Sequence, residues 1–403
     1  MPRPPKKKLL STKKISGGVL APSGFVGGAA ACGIKNGRVV RDDLALLVSL
    51  EPAAAAGTFT TNAVKAAPVR VSMSHMKAPF HRAVVLNSGN ANACTGPDGM
   101  AAARSMAAGA AARAGCAARE VLVCSTGRIG VPFPTARVAE GLRTIRLGRS
   151  QGVRCARAIM TSDTFPKSGA VEVETAAGTF RVGGMAKGAG MIDPNMATML
   201  AVITTDAACP RGELKRLLRR AVSDSFNRIT VDGDMSTNDT VLCLANGASG
   251  TRPDPELLGG VLAGVCRELA RMIVRDGEGT TRVVDVLVTG AATARCAVRA
   301  AEAIANSTLV KCAWAGGDPN WGRIMDALGY SGAKLEESRV AIDYGSEPLV
   351  RNGRLADASW NKVVAVASRK EFRIAIDLGL GQHSHEVWTT DLTEAYVKFN
   401  LGE

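Results

Sequence analysis

Thr198 stands where a constrained turn would hand over to a rigid strand. Residues 187–206 read KGAGMIDPNMATMLAVITTD. The first half is turn chemistry: glycine at 188 and 190 supplies backbone angles other residues resist, and Pro194, inside Asp-Pro-Asn, bars a helix. The second half, Met199 to Ile203, is an unbroken apolar run, the pattern of a strand buried on both faces. A hydroxyl held between the two is placed to act as a nucleophile. A β-branched residue opening a strand accounts for the same threonine, so spacing by itself leaves both readings open.

Other polar clusters offer weaker chemistry. Ser125-Thr126-Gly127-Arg128 follows a predicted strand, and a strand ending in Thr-Gly exposes N–H groups that can bind a developing oxyanion. Asn87, Asn90 and Asn92, with Gly89, can hold an irregular turn through side-chain to backbone bonds. Residues 232–239, DGDMSTND, have the acidity of a calcium loop but lack its Gly and terminal Glu at the required offsets, so a turn network fits better. Asp276-Gly277-Glu278-Gly279 suits a helix C-cap with a solvated Glu278. Residues 318–323, DPNWGR, form a rigid turn with an aromatic anchor. Lys187-Gly-Ala-Gly lacks the order of a phosphate-binding loop. His383 and His385 read as surface or packing residues, since no further metal ligands stand near them.

The elements that must position these groups follow from periodicity. Strands are expected at Val39-Val40, 44–48, 83–86, 120–124, 171–173, 180–182, 199–203, 284–288, 363–366 and 372–378. Helices are expected at 99–119, 138–160, 257–274 and 297–310, and one opening at Pro210 with Leu214, Leu217, Leu218, Ala221 and Val222 on its buried stripe. Helices and strands alternating in groups make the chain an α/β (α+β) layered sandwich of sheets flanked by helices.

Composition removes several function classes. The 403 residues suffice for two domains, and no run of about eighteen apolar residues marks a membrane span. The ten cysteines are scattered without a CxxC pair and histidines number four, so neither a zinc site nor a disulfide framework is expected, and a reducing cytoplasm is the default. The net charge of +14 is uneven: residues 1–197 carry 26 Lys and Arg against 10 Asp and Glu, the remainder 24 against 26. Aromatic residues are only 4%, so the basic half lacks the interleaving a nucleic-acid surface needs. Solvated helix faces and a basic flexible tail at 1–16 explain the charge instead. That tail has neither the apolar core of a secretory signal nor the character of a transit peptide.

Eight motifs together resemble the ornithine acetyltransferase (glutamate N-acetyltransferase) family of arginine biosynthesis. They are FTTN at 59–62, NSGNANACTG at 87–96, STGRIG at 125–130, KGAGMIDPNMATML at 187–200, NRITVDGDMSTND at 227–239, DGEGTT at 276–281, DPNWGRI at 318–324 and DLTEAYVKFN at 391–400. They fall in the family's order over nearly the whole chain, leaving out the tail.

The resemblance implies a self-processing, N-terminal-nucleophile-like enzyme. It would cut itself between Ala197 and Thr198 into an alpha segment, 17–197, and a beta segment, 198–403, that stay intertwined. Two of each would form a heterotetramer. Thr198 would be the catalytic nucleophile, Thr126 and Gly127 the oxyanion hole, and Thr161, Lys187, Thr198, Glu278 and Asn400 the substrate-binding set. The substrates would be acetylornithine and glutamate, with no metal, no organic cofactor, no nucleic acid and no membrane partner. The sequence leaves open acetyl-CoA as a second donor. The family motif ordinarily continues past the position of Asn400 to a Ser or Thr that also touches substrate; here Leu401-Gly402-Glu403 follow, which puts one contact in doubt. A self-processing aminopeptidase or amidase would use similar chemistry with water as acceptor, and a non-catalytic basic binding protein would be indifferent to Thr198.

Overall fold

The computed structural model describes residues 9–193, 199–357 and 359–401. The chain divides into two compact units. The first comprises Met1–Gly188, Asn195–Asn227 and Met235–Ile273, the second Ala189–Pro194, Arg228–Asp234 and Val274–Glu403. This partition by contact is distinct from the division at 197/198. No described helix is long and apolar enough to cross a membrane.

Among the described residues the first unit holds nine strands: β1 (Leu9–Lys14), β2 (Phe25–Ala30), β3 (Leu44–Phe59), β4 (His81–Asn87), β5 (Val121–Ser125), β6 (Lys167–Thr175), β7 (Gly178–Lys187), β8 (Leu200–Thr205) and β9 (Thr240–Ala245). They run in the order β1-β6-β7-β8-β9-β3-β4-β5, with β2 also on β3. β3 joins two halves of the sheet, pairing β4 through Leu44–Val48 and β9 through Ala54–Phe59. The register shifts between Val48 and Ala53, around Pro52, which has no N–H to give a ladder.

Alternation along the strands separates two cores. Ala45, Leu47, Val84, Leu86, Leu122 and Cys124 cluster with Met185, Leu200, Val202, Leu242 and Leu244, so the two halves face each other as a sandwich. Leu44, Leu46, Val85 and Val123, of the other parity, pack with Ala103, Met106, Ala107 and Ala110 of helix Gly96–Ala114 and with Val138 and Leu142 of helix Thr135–Thr144. β8, with both faces covered, is buried at every residue, as its continuous apolar run requires. In helix Arg211–Ser223 all five residues of the expected stripe are buried.

The second unit is a six-stranded sheet in the order β13-β12-β11-β14-β10-β15, formed by β10 (Val283–Ala291), β11 (Ala341–Tyr344), β12 (Glu347–Arg351), β13 (Arg354–Leu355), β14 (Glu371–Asp377) and β15 (His383–Thr390). Its core gathers Val284, Val286, Ile374 and Ile376 around Trp314, Tyr344 and Phe372. Tyr344 stacks on Phe372 at 5.9 Å between centroids. Burial drives the His385 imidazole down to about 4 on β15, the mark of a packing residue.

Four expectations fail. Val39 and Val40 are exposed and unpaired with any strand. The helix expected at 138–160 is two, Thr135–Thr144 and Gly152–Ala158, because Gly148 leaves the helix to exchange both backbone hydrogen bonds with Gly27. The one expected at 297–310 breaks at Ser307, whose hydroxyl caps the next helix, Thr308–Ala315. Residues 363–366, expected as a strand, lie in helix Trp360–Ala367. Helical spacing seats Val363, Val366 and Ala367 on one buried face, and burying a valine, about 1.5–3 kcal/mol, outweighs its few tenths of helix penalty. In addition, residues 9–14 of the expected tail form an edge strand on β6, tied by Lys14 Nζ donating to Glu268 Oε1 at 2.6 Å. Residues 1–8 lie outside the described residues.

Candidate active site

Thr198 and Ala197 lie outside the described residues. Met199 N–H donates to Asp239 Oδ1 at 3.0 Å, and Met199 O accepts from Thr240 N–H at 3.1 Å. The residue following Thr198 is therefore held by a fully buried carboxylate at the mouth of β9.

Thr126 and Gly127 follow β5 directly and meet the loop after β4. In that loop Asn87 Nδ2 donates to Asn90 O at 2.9 Å, Asn90 Oδ1 accepts from Asn92 N–H at 2.8 Å, and Asn92 Nδ2 donates to Gly99 O at 2.9 Å. The three asparagines thus build the turn expected of them. Asn238 bridges it to the Thr126 turn, its Nδ2 donating to Ala91 O at 2.7 Å and Ser125 O at 2.8 Å. Gly127 has φ +130°, and a Cβ there would overlap the backbone of Gly89 and Asn90. Only glycine lets the two turns touch.

One expectation is refined. The Thr126 N–H is committed to Asn87 O at 3.0 Å, so an oxyanion at this turn must draw on the Thr126 hydroxyl and the Gly127 amide. Thr126 is buried, and Lys187 Nζ donates to its Oγ1 at 3.3 Å. Lys187 closes β7 and is itself only 3% exposed.

Asp163 organises this side of the site. Its Oδ1 accepts from Lys167 Nζ at 2.6 Å and from Gly188 N–H at 2.8 Å, and its Oδ2 accepts from Thr161 N–H at 2.9 Å. Both Asp163 and Lys167 side chains are fully buried. Burial alone would raise the Asp163 pKa; the ammoniums of Lys187 and Lys167 and these hydrogen bonds outweigh it and hold the carboxyl down at about 2. A single carboxylate therefore fixes Thr161 and the backbone next to Lys187.

In the second unit, Asn400 Nδ2 donates to Glu278 Oε2 at 3.1 Å, and Glu278 N–H donates to Ala189 O at 2.9 Å. A side chain at Gly190 would run into the Glu278 carboxylate, so the Gly-Ala-Gly run also makes room for that group. Glu278 is thus partnered rather than a merely solvated cap residue.

The sequence pattern of the ArgJ family matches residues 27–402. The chain belongs to the ArgJ family. Similar proteins are named arginine biosynthesis bifunctional protein ArgJ in Symbiobacterium thermophilum, 46% identical over 397 residues (96% of this chain, 98% of the relative), and in Geobacter sulfurreducens, 48% identical over 391 residues (94% and 98%). A glutamate N-acetyltransferase of Methanocaldococcus jannaschii is 45% identical over 403 residues (96% and 98%). Among solved structures, a chain of ArgJ from Bacillus halodurans is 37% identical, covers 50% of this chain and 97% of its own, and has a TM-score of 0.47.

Set against the ArgJ motifs, the structure joins Thr126, Gly127 and Lys187 directly and Thr161 to them through Asp163, and it joins Glu278 to Asn400. Asp163, Asn238 and Asp239 were not singled out as site residues from sequence. Asp239, an acid one residue before the apolar run 241–245, carries the one available signal: a carboxylate beside a buried strand needs a partner.

Proposed function

We infer that the chain is an acyltransferase of arginine biosynthesis that moves the acetyl group of N2-acetyl-L-ornithine to L-glutamate, releasing L-ornithine and N-acetyl-L-glutamate. The observation that carries it is the Lys187–Thr126–Gly127 arrangement within a chain of the ArgJ family. It puts a cation and hydrogen-bond donors together, as acyl transfer from an amino acid requires.

The nucleophile is made by self-cleavage. The Thr198 hydroxyl attacks the Ala197 carbonyl, a C–O bond forms, the 197–198 C–N bond breaks, and the proton passes to the departing amine. Water then hydrolyses the ester, leaving the Ala197 carboxylate and a free Thr198. Its amine, with an ordinary pKa of about 7.7–8.0, takes the proton of its own hydroxyl when that attacks acetylornithine. The oxyanion is met at Thr126 and Gly127, ornithine departs, and glutamate takes the acetyl group from Thr198. Lys187 binds a substrate carboxylate, Glu278 a substrate ammonium or the Thr198 amine, and Thr161 and Asn400 complete the contacts. The steps call for no metal or organic cofactor, and acetyl-CoA serves as an alternative donor in a bifunctional enzyme. The fragments 17–197 and 198–403 remain together, two of each, in a cytoplasmic heterotetramer.

Mass spectrometry of the mature protein incubated with acetylornithine tests the scheme. An acetyl adduct on the fragment beginning at Thr198 is expected, and Thr198→Ala should remain one inactive chain. An intact, active wild-type chain would refute self-cleavage.

A further inference from the structure

Met191 is a non-glycine residue in the left-handed region, at φ +56°. Its side chain is 39% exposed, so packing does not account for a conformation that L-residues adopt only when held. What holds it is Asp232. Asp232 Oδ2 accepts from Met191 N–H at 2.7 Å and Oδ1 from Ile192 N–H at 2.8 Å, two successive amides aimed at one carboxylate. The carboxylate is fixed in turn by the Tyr396 hydroxyl and the Asp234 N–H, each donating at 3.2 Å. The next residues are tied as well. Ile192 O accepts from Val231 N–H at 2.8 Å, the Thr230 hydroxyl lies 3.0 Å from that oxygen and 2.6 Å from Asn306 Oδ1, and Asn306 Nδ2 donates to Asp193 Oδ1 at 3.1 Å.

The three residues so clamped are followed, four positions after Asp193, by Ala197. We propose that Asp232 is a positioning residue for self-cleavage: by holding Met191 left-handed it fixes the described residues that lead along the chain to the 197–198 bond. This rests on the self-cleavage reading above. Asp232 acts through the Met191 and Ile192 amides, not on the reacting atoms. Substrate turnover by protein already cut does not need the clamp to aim that bond, so the demand falls on maturation.

Full-length chains made by cell-free translation, with cutting followed by gel mobility and intact mass, test the proposal. Met191→Ile places a β-branched side chain, the kind least tolerant of positive φ, at an exposed position; Met191→Gly places there the residue that adopts it freely. Because losing the left-handed hold is worth about a factor of ten, Met191→Ile and Asp232→Asn should each slow cutting about tenfold or more. Met191→Gly should cut at least as fast as wild type, and Asp232→Asn/Met191→Gly should recover most of the loss. Equal rates for Met191→Ile and Met191→Gly, wild-type cutting by Asp232→Asn, or no rescue in the double variant would each overturn it. A wild-type chain that stays whole overturns the self-cleavage reading and this proposal with it, an outcome told apart because no variant is involved.

Discussion

The Lys187 ammonium donates to the Thr126 hydroxyl across 3.3 Å, and that contact fixes which way the hydroxyl points. An ammonium has no acceptor, so Thr126 Oγ1 must accept, and its hydrogen is left for another oxygen. A hydroxyl so turned, beside the Gly127 amide, has the donor that the proposed oxyanion role calls for.

Thr126→Val, which keeps the shape and removes the hydroxyl, should therefore lower kcat about 10²–10³-fold, the equivalent of roughly 2.7–4 kcal/mol for one oxyanion donor. The KM for acetylornithine should move far less, and Thr126→Ser should retain most of the rate. Steady-state kinetics decide it; a change confined to KM would speak against the assignment.

Gly127→Ala should lose activity and stability together. The added methyl meets the Gly89–Asn90 backbone, not a flexible side chain, and φ +130° is strained for alanine. The turns must separate, which thermal melting would register alongside loss of acetyl transfer; a variant with unchanged melting and unchanged kcat would contradict this packing.

Asp163 ties stability to pH. Its folded pKa of about 2 lies below the usual 3.8, so its contribution, about 2 kcal/mol by linkage, is full above the unfolded value and is lost as pH falls through about 2. Asp163→Asn should cost about 3–5 kcal/mol at neutral pH, because it strands the buried Lys167 ammonium. Asp163→Asn/Lys167→Met should recover a large share, measurable by denaturant unfolding at pH 7. Equal destabilisation in the single and double variants would reject the pairing.

Lys311 acts in the same direction at higher pH. Burial lowers its ammonium to about 7, against the opposing charges of Asp391 and Asp232, and its Nζ donates to Thr389 Oγ1 at 3.0 Å. Between about pH 7 and 10 the unfolded chain holds a proton that the folded chain has released, so stability from this group rises with pH across that window. Lys311→Met should flatten the slope of unfolding free energy against pH there; an unaltered slope would mean the group titrates normally.

Much of this protein is local enough to be read along the chain. The apolar run of β8, the stripe from Leu214 to Val222 and the turn chemistry of Asn87, Asn90 and Asn92 each declare themselves within a dozen residues, because side-chain period and backbone preference act over one or two turns. Where packing overrode propensity, as at Val363–Val366, or where a distant backbone captured a residue, as Gly27 did Gly148, the local pattern misled.

By itself the sequence determined which residues were available for chemistry: Thr126, Gly127, Lys187, Glu278 and Asn400 all stand in recognisable motifs. Only the tertiary structure decided that Lys187 reaches Thr126 from 61 residues away, that Asp163 organises Thr161 and Gly188, and that Asp232 and Asp239 hold the residues on either side of the 194–198 segment. Those partnerships depend on strand order and on which carboxylates are buried too deeply to keep their water. Both are set when the whole chain packs, and neither leaves a period in the sequence.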